Sequence, residues 1–360
     1  MIVLPLARYR FTFRMAEPLR LPEYAGSLLR GQFGAALRRT SCMTRAATCD
    51  GCPLRATCPY PTVFEAPVPQ QAAHTPRQDF SHIPNPYVIE PPPLGTRSID
   101  EGQALQFGLV LFGRALDHLP LISFALQRAF EGGLGKERAR GTLERLDVQH
   151  ADAFTCIWQA GDTAIDAHDT RLHLDTAPPS PPPERIELHL HTPLRLQHQG
   201  QPVRPHALTP RKLVADLLRR ITLLADFHAD QPGVIADATA LVRHAETLGH
   251  RVQLRWHDWS RYSSRQQREM TLGGAIGTWT LEGELAPLLP WLQLGERLHV
   301  GKNTTLGMGG YTLVSGTANR SAERPFTVSG NRAAFLPTSS AGGDRIEADW
   351  PRSVASTALG

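Results

Sequence analysis

The chain has 360 residues, enough at about 150 residues per domain for two domains with real cores. Its 41% apolar and 20% charged residues place it with globular rather than disordered chains, and no apolar run reaches the ~18 residues of a membrane helix. The formal charge of +4 comes from 38 basic residues of which only Lys136, Lys212 and Lys302 are lysines; a GC-rich genome or arginine's suitability for phosphate recognition each explains that, and composition does not choose.

The first ten residues lack the basic-then-apolar order of a signal peptide, so a cytoplasmic protein is expected. Val3 to Phe13 reads as a strand, and Tyr24 to Leu37 as a helix with Leu28, Leu29, Phe33 and Leu37 on one face. A cysteine- and proline-rich insertion follows over about 41–85. Tyr87–Glu90 and Leu105–Phe112 read as strands, Leu119–Phe130 as a helix and Thr142–Val148 as a closing strand. The order βαββαβ is the ferredoxin-like motif, over 1–156. The run of prolines from Pro178 to Pro183 cannot continue a helix or serve a ladder, and 157–183 reads as a linker.

The second block, 184–316, repeats the order. Ile186–His191 alternates as a strand does, and Thr209-Pro210 caps a helix to about His228. Val252–Trp259 and Gly277–Leu285 look like a β-pair, Ala286–Leu292 like a short helix, and Tyr311–Val314 like the last strand. Residues 317–360 turn to Gly, Ser, Ala, Arg and Asp and are expected to be a disordered tail. The fold class is therefore α+β, two tandem ferredoxin-like (RRM-like) domains with a cysteine-rich insertion in the first.

Three motifs carry chemistry. Cys42, Cys49, Cys52 and Cys58 put four thiols in one short loop, a donor set for structural zinc, with an iron–sulfur cluster or unmetallated thiols as alternatives. Cys156 stands apart as a buried apolar residue. The stretch from Gly301 to Gly310 is dense enough in glycine to bring backbone N–H groups to a phosphate. It is not a nucleotide P-loop, because Glu296 stands where that motif needs glycine. Gly132–Lys136 is its lesser counterpart at the same place in the first block. Arg255 to Arg265 interleaves arginines with Trp256, Trp259 and Tyr262, which suits stacking with RNA, although an ordinary strand with buried tryptophans has the same pattern. His299, directly before the glycine-rich loop, is placed to act as an acid or base. The other histidines, His189 and His191 included, read as solvated or structural.

Together these residues resemble the CRISPR precursor-RNA processing endoribonucleases of the RAMP (repeat-associated mysterious protein) superfamily, in the branch with a cysteine-rich insertion. The resemblance rests on Leu29–Arg38, the four cysteines through Cys58-Pro59-Tyr60 and Phe64-Glu65, Asp258–Ser263, and Leu298–Tyr311. It implies tandem ferredoxin-like domains that cut CRISPR repeat RNA, the 2′-OH attacking the scissile phosphate to leave a 2′,3′-cyclic phosphate without a catalytic metal. His299 is then the expected acid or base, Tyr262 or Ser263 a second proton carrier, and Lys302 the phosphate cation. Arg30, Lys136, Arg255, Arg261, Arg265, Gly301, Asn303, Thr304, Gly307 and Gly309 are expected to hold RNA. Expected partners are repeat RNA and other CRISPR effector-complex subunits. One departure stands out: family members often place a catalytic histidine on or just after the first helix, and residues 20–41 contain none. A non-catalytic, RNA-binding subunit is the alternative.

Overall fold

In a computed structural model the described residues are 1–66, 83–96, 98–177, 180–263 and 268–315. They lie within one compact unit, Met1–Ser329. The expected tail, the second part of the cysteine-rich insertion and Arg265 fall outside the described residues.

The first sheet is built from β1 (Ile2–Met15), β2 (Tyr87–Glu90), β3 (Ala104–Phe112), β4 (Gly141–His150) and β5 (Ala153–Gln159), in the antiparallel order β2-β3-β1-β4-β5. A short strand β6 (Arg171–Leu174) pairs with the start of β1, Ile2 opposite Leu174. Helices α1 (Ala25–Ser41) and α3 (Leu119–Glu131) cover one face, and the short α2 (Pro59–Phe64) follows the cysteine loop. The alternation of β1 explains the layering: Tyr9, Phe11, Phe13 and Met15 point into the helix-covered core with Leu29, Phe33, Leu37 and Phe130. The rings of Phe13 and Phe130 stack with centroids 3.6 Å apart.

The second sheet comprises β7 (Arg185–Leu194), β8 (Gly249–Ser263), β9 (Arg268–Glu282) and β10 (Tyr311–Ser315), in the order β8-β9-β7-β10. In chain order, both sheets run second–third–first–fourth strand, so the expected pair of ferredoxin-like units is what the structure contains. Helices α4 (Pro210–His228), α5 (Ala238–Ala245) and α6 (Leu289–Leu298) belong to this half. Thr209 caps α4 by accepting the Lys212 amide, with Pro210 at the first helical position as the sequence expects.

The two halves share a core. Leu4, Leu6, Val88, Val110 and Phe112, on the back of the first sheet, join Leu213, Leu217, Leu224, Leu292 and Leu298 of α4 and α6. At the end of α4, His228 Nε2 lies 2.9 Å from the Pro84 carbonyl.

Three differences from the sequence expectation bear on function. The stretch read as a linker contains the end of β5 and all of β6, because Leu172 and Leu174 have an apolar edge of β1 to cover. Helix α5 supplies a missed turn of apolar cover, Leu241 and Val242 leaning on the second core. The β8–β9 hairpin runs well past Trp259, to Ser263 opposite Arg268, whereas β7 stops pairing with β9 at Leu194 opposite Ala275. Its far half therefore projects beyond the sheet, and Gly274 lets it pass: a Cβ there would stand 2.8 Å from the Leu194 oxygen.

Candidate functional site

The projecting hairpin comes down on the start of α1. Tyr24 and Trp259 pack with ring centroids 4.8 Å apart and, with Leu272, Leu306 and Met308, form a small apolar cluster that joins the two halves. The glycine-rich loop enters the same junction, since a Cβ on Gly26 would collide with the Leu306 oxygen and one on Gly307 with the Ile89 oxygen. Beside this cluster, His257 Nε2 lies 3.3 Å from a Glu23 carboxylate oxygen; the two side chains are 16% and 38% exposed, open enough to meet solvent. Arg30 Nε, His257 Nε2 and Trp259 Nε1 are buried atoms with no hydrogen-bond partner among the described residues, and Tyr24 Oη has only the Thr192 side chain near it. So many unspent polar atoms in one junction is unusual for a purely structural contact, where each costs about 1–3 kcal/mol. Burial pushes the Tyr24 phenol well up, so at neutral pH it is a donor and not a phenolate.

The glycine-rich loop differs from its sequence reading. Gly307 and Gly309 are buried, and their amides donate to the Thr304 and Pro193 carbonyls at 2.8 and 3.0 Å, while the Gly310 amide donates to Thr192 Oγ1 at 2.7 Å. These N–H groups are spent inside the protein and do not face RNA. The glycines are there because the chain passes itself closely at positive φ: 91° at Gly301, 86° at Gly307 and 73° at Gly309. Thr304 is also buried, and the Asn303 carbonyl accepts the Leu306 amide at 2.9 Å. Lys302 is exposed, and its amide donates to the Arg195 carbonyl at 2.9 Å, so the loop presents this cation from a fixed backbone.

His299 is the largest correction. It is 1% exposed, walled off from any surface phosphate. Its Nδ1 stands 3.2 Å from the Met308 carbonyl and its Nε2 3.6 Å from Glu90, whose other oxygen accepts from Arg8 Nε at 2.7 Å. Burial pushes the Glu90 carboxyl up, but Arg8 and then His299 outweigh it and bring it down to about 2. His191 packs edge-on to His299, and burial with that neighbour lowers its imidazole to about 4. Arg297 and Arg8 converge on Gln149. These groups form a buried ionic seam between the halves.

The other expected residues divide by position. Arg30 lies over the Phe64 ring at 4.2 Å, on the face of α1 next to the junction. Arg255 is exposed on β8, opposite Ile276 and one alternation before His257. Arg261, Tyr262 and Ser263 lie opposite Met270, Glu269 and Arg268 at the hairpin's far end. Lys136 is exposed in its own loop, close to Arg20 through Gly135. On the other face of the hairpin, Arg204 covers the Trp256 ring at 4.1 Å, and Trp256 Nε1 donates to Asp258 at 2.7 Å. Arg204 also borders a groove of about 580 Å³ lined by His198, His206, Arg211 and Lys212. Sequence reasoning missed Glu23 and passed over His257. Their pairing joins opposite ends of the chain, so no local spacing announces it; the only trace was His257 inside the Arg-Trp-His-Asp-Trp run.

Cys42, Cys49, Cys52 and Cys58 line one cavity of about 170 Å³, with Cys49 and Cys58 resting on the first core. Thr44 Oγ1 stands between Cys42 Sγ and Cys52 Sγ at 3.8 and 3.7 Å, and no three His, Cys, Asp or Glu among the described residues are grouped to hold a metal. Four thiols bordering one cavity are a donor set whose chemistry suits zinc.

Comparison with known proteins follows this division into halves. Residues 4–170 match a family model described as an N-terminal domain, and residues 188–311 match that of CRISPR-associated endoribonuclease Cas6. Among solved structures, a partial Cas6-RT-Cas1–Cas2 complex is similar at TM-score 0.51 and 15% identity, over 87% of this chain and 46% of that one. This chain thus spans less than half the length of that relative. A Cas6 product complex is similar at TM-score 0.50 and 19% identity, over 86% of this chain and 100% of that one. A Thermus thermophilus Cas6 gives 0.49 and 17%, over 87% and 100%. These likenesses concern the fold. No protein of curated function matches by sequence.

Proposed function

We propose that this chain cuts within CRISPR repeat RNA to release guide RNAs, because residues 188–311 match the model of the CRISPR-associated endoribonuclease Cas6 family. The match carries the proposal: it takes in the β8–β9 hairpin, the glycine-rich loop and Lys302, the segments that meet the start of α1. The chemistry is attack of the 2′-OH on the adjacent phosphorus, with departure of the 5′-oxygen and a 2′,3′-cyclic phosphate as product. No metal takes part in the step. Exposed Lys302 and Arg255 neutralise phosphates, the groove beside Arg204 takes a further length of strand, and Trp256 under Arg204 offers a stacking platform. The four thiols stay candidate zinc ligands on donor chemistry alone, and no step is assigned to a metal there. Partners of this reading are repeat RNA and further CRISPR subunits, all in the cytoplasm; no helix among the described residues is long and apolar enough to cross a membrane.

The burial of His299, with no histidine in residues 20–41, favours a second reading, a non-catalytic subunit that binds CRISPR RNA in an effector complex. Incubation with RNA transcribed from a repeat of the same genome, with EDTA present, separates them. Cleavage at one position that persists in EDTA supports the enzyme. Tight binding with no cut between pH 5 and 9 supports the binding subunit. Equal affinity for random RNA of the same length sinks both.

A further inference from the structure

The proposed reaction needs a base at the 2′-OH, and the expected histidine is sealed in the core. We propose that His257 is that base and that Glu23 is its positioning residue; this rests on the endoribonuclease reading above. The two halves of the protein contribute one side chain each. Glu23 lies just before α1, and His257 lies on the projecting part of β8, 3.3 Å away through Nε2. The imidazole is clamped against Trp259, rings 25° apart with centroids at 6.0 Å, and Trp259 is locked in turn on Tyr24. Nε2 is buried within ion-pair distance of the carboxylate but is not hydrogen-bonded to it in this resting arrangement. A small turn of the half-exposed Glu23 side chain when RNA binds aligns the carboxylate with Nε2–H, which fixes the proton there and leaves the Nδ1 lone pair for the substrate.

The surroundings suit an RNA strand. Arg255 precedes His257 by one alternation on the same face of β8 and is exposed, so a backbone phosphate held by Arg255 brings the next sugar to the imidazole. In the step, the 2′-oxygen bonds to phosphorus while its proton passes to Nδ1. The P–O5′ bond breaks, and the leaving oxygen takes a proton from water or from a second donor. Glu23 holds Nε2–H and never touches the RNA.

The test is single-turnover cleavage of cognate repeat RNA in EDTA by the full-length protein, with RNA affinity and thermal midpoint measured in parallel. His257→Ala is expected to slow cleavage by about 10²-fold or more, the usual worth of a general base, with affinity changed less than threefold. Added imidazole should restore about tenfold of that loss, which a merely structural histidine would not allow. Glu23→Gln should slow cleavage by about tenfold with binding intact. His189→Ala, on the outer face of β7, should cleave like the unaltered protein. If the unaltered protein cleaves and His257→Ala, still folded, cleaves at a similar rate, His257 is not the base while the endoribonuclease reading stands. His257 is equally excluded as the base if His257→Ala is inactive and imidazole restores nothing. If the unaltered protein binds repeat RNA and never cuts it, both proposals fall together.

Discussion

A side chain at φ 57° and ψ 167° occupies backbone space that glycine takes freely and other residues avoid, and His299 is held there directly after α6. The hold comes from Glu90 on one ring nitrogen, Met308 on the other, and Arg220, whose Nε donates to the Leu298 carbonyl at 2.9 Å. His299→Ala keeps the strained backbone, leaves the buried Met308 carbonyl without the ring nitrogen at 3.2 Å and withdraws the imidazole from Glu90. It should destabilise the protein by about 1–3 kcal/mol, the range for leaving a buried polar group unpaired. Activity per folded molecule should be unchanged. Urea unfolding beside single-turnover cleavage checks this, and a variant of normal stability that cannot cut would return His299 to the reaction. The two histidines show what a sequence conceals. Standing before a glycine-rich loop made His299 look reactive, whereas reactivity turns on exposure and on a partner from another element, which only the folded chain brings to His257.

At the scale of elements, periodicity was enough for the strands and helices that alternate cleanly, because apolar burial on one face sets their pattern. It failed where an element is held by something other than a one-sided core. Strand β8 continues past Trp259 because it pairs with β9 and rests on Tyr24, and β6 forms because the edge of β1 is open to it. The glycine-rich loop was legible as a feature and misread as a device: its amides are spent on Thr304, Pro193 and Thr192, and its glycines serve close passage. Gly307→Ala puts a Cβ into the Ile89 oxygen at φ 86°, so the loop must leave β2. A loss of more than about 1 kcal/mol and weaker cleavage are expected, and unchanged thermal stability would show that the loop has slack. The cysteine loop is tested by metal content. One zinc per chain in protein purified without added metal, lost in a Cys49→Ser, Cys52→Ser double variant, is the expected result. The loss should speed proteolysis between residues 42 and 58 and leave the two sheets folded, because α1 and α2 keep their own apolar contacts. Metal-free protein with an equally resistant loop would dismiss zinc.

For the molecule as a whole, the two ferredoxin-like halves are held at a seam that contains buried titratable groups, and this makes the seam sensitive to acid. His228, 6% exposed, reaches the Pro84 carbonyl across the seam; burial lowers its imidazole to about 4, although that hydrogen bond raises it in part. His191 is lowered to about 4 in the same way. An unfolded chain takes up these protons near pH 6.5, whereas the folded protein takes them up only near pH 4. Between those limits the unfolded state binds more protons, so stability is complete above pH 6.5 and declines down to pH 4. Each histidine accounts for at most about 3 kcal/mol of the decline. Glu90 has the ordinary carboxylate sign. Its stabilisation is present above about pH 4.5 and is lost as pH falls toward 2, a second stage below the first. The thermal midpoint should therefore drop progressively from pH 6.5 to 4, and His228→Gln, whose amide still donates to Pro84, should flatten that slope. A midpoint that holds steady across this interval, or a slope that His228→Gln leaves unaltered, would mean that protons enter elsewhere first and that the seam is not where acid opens the fold.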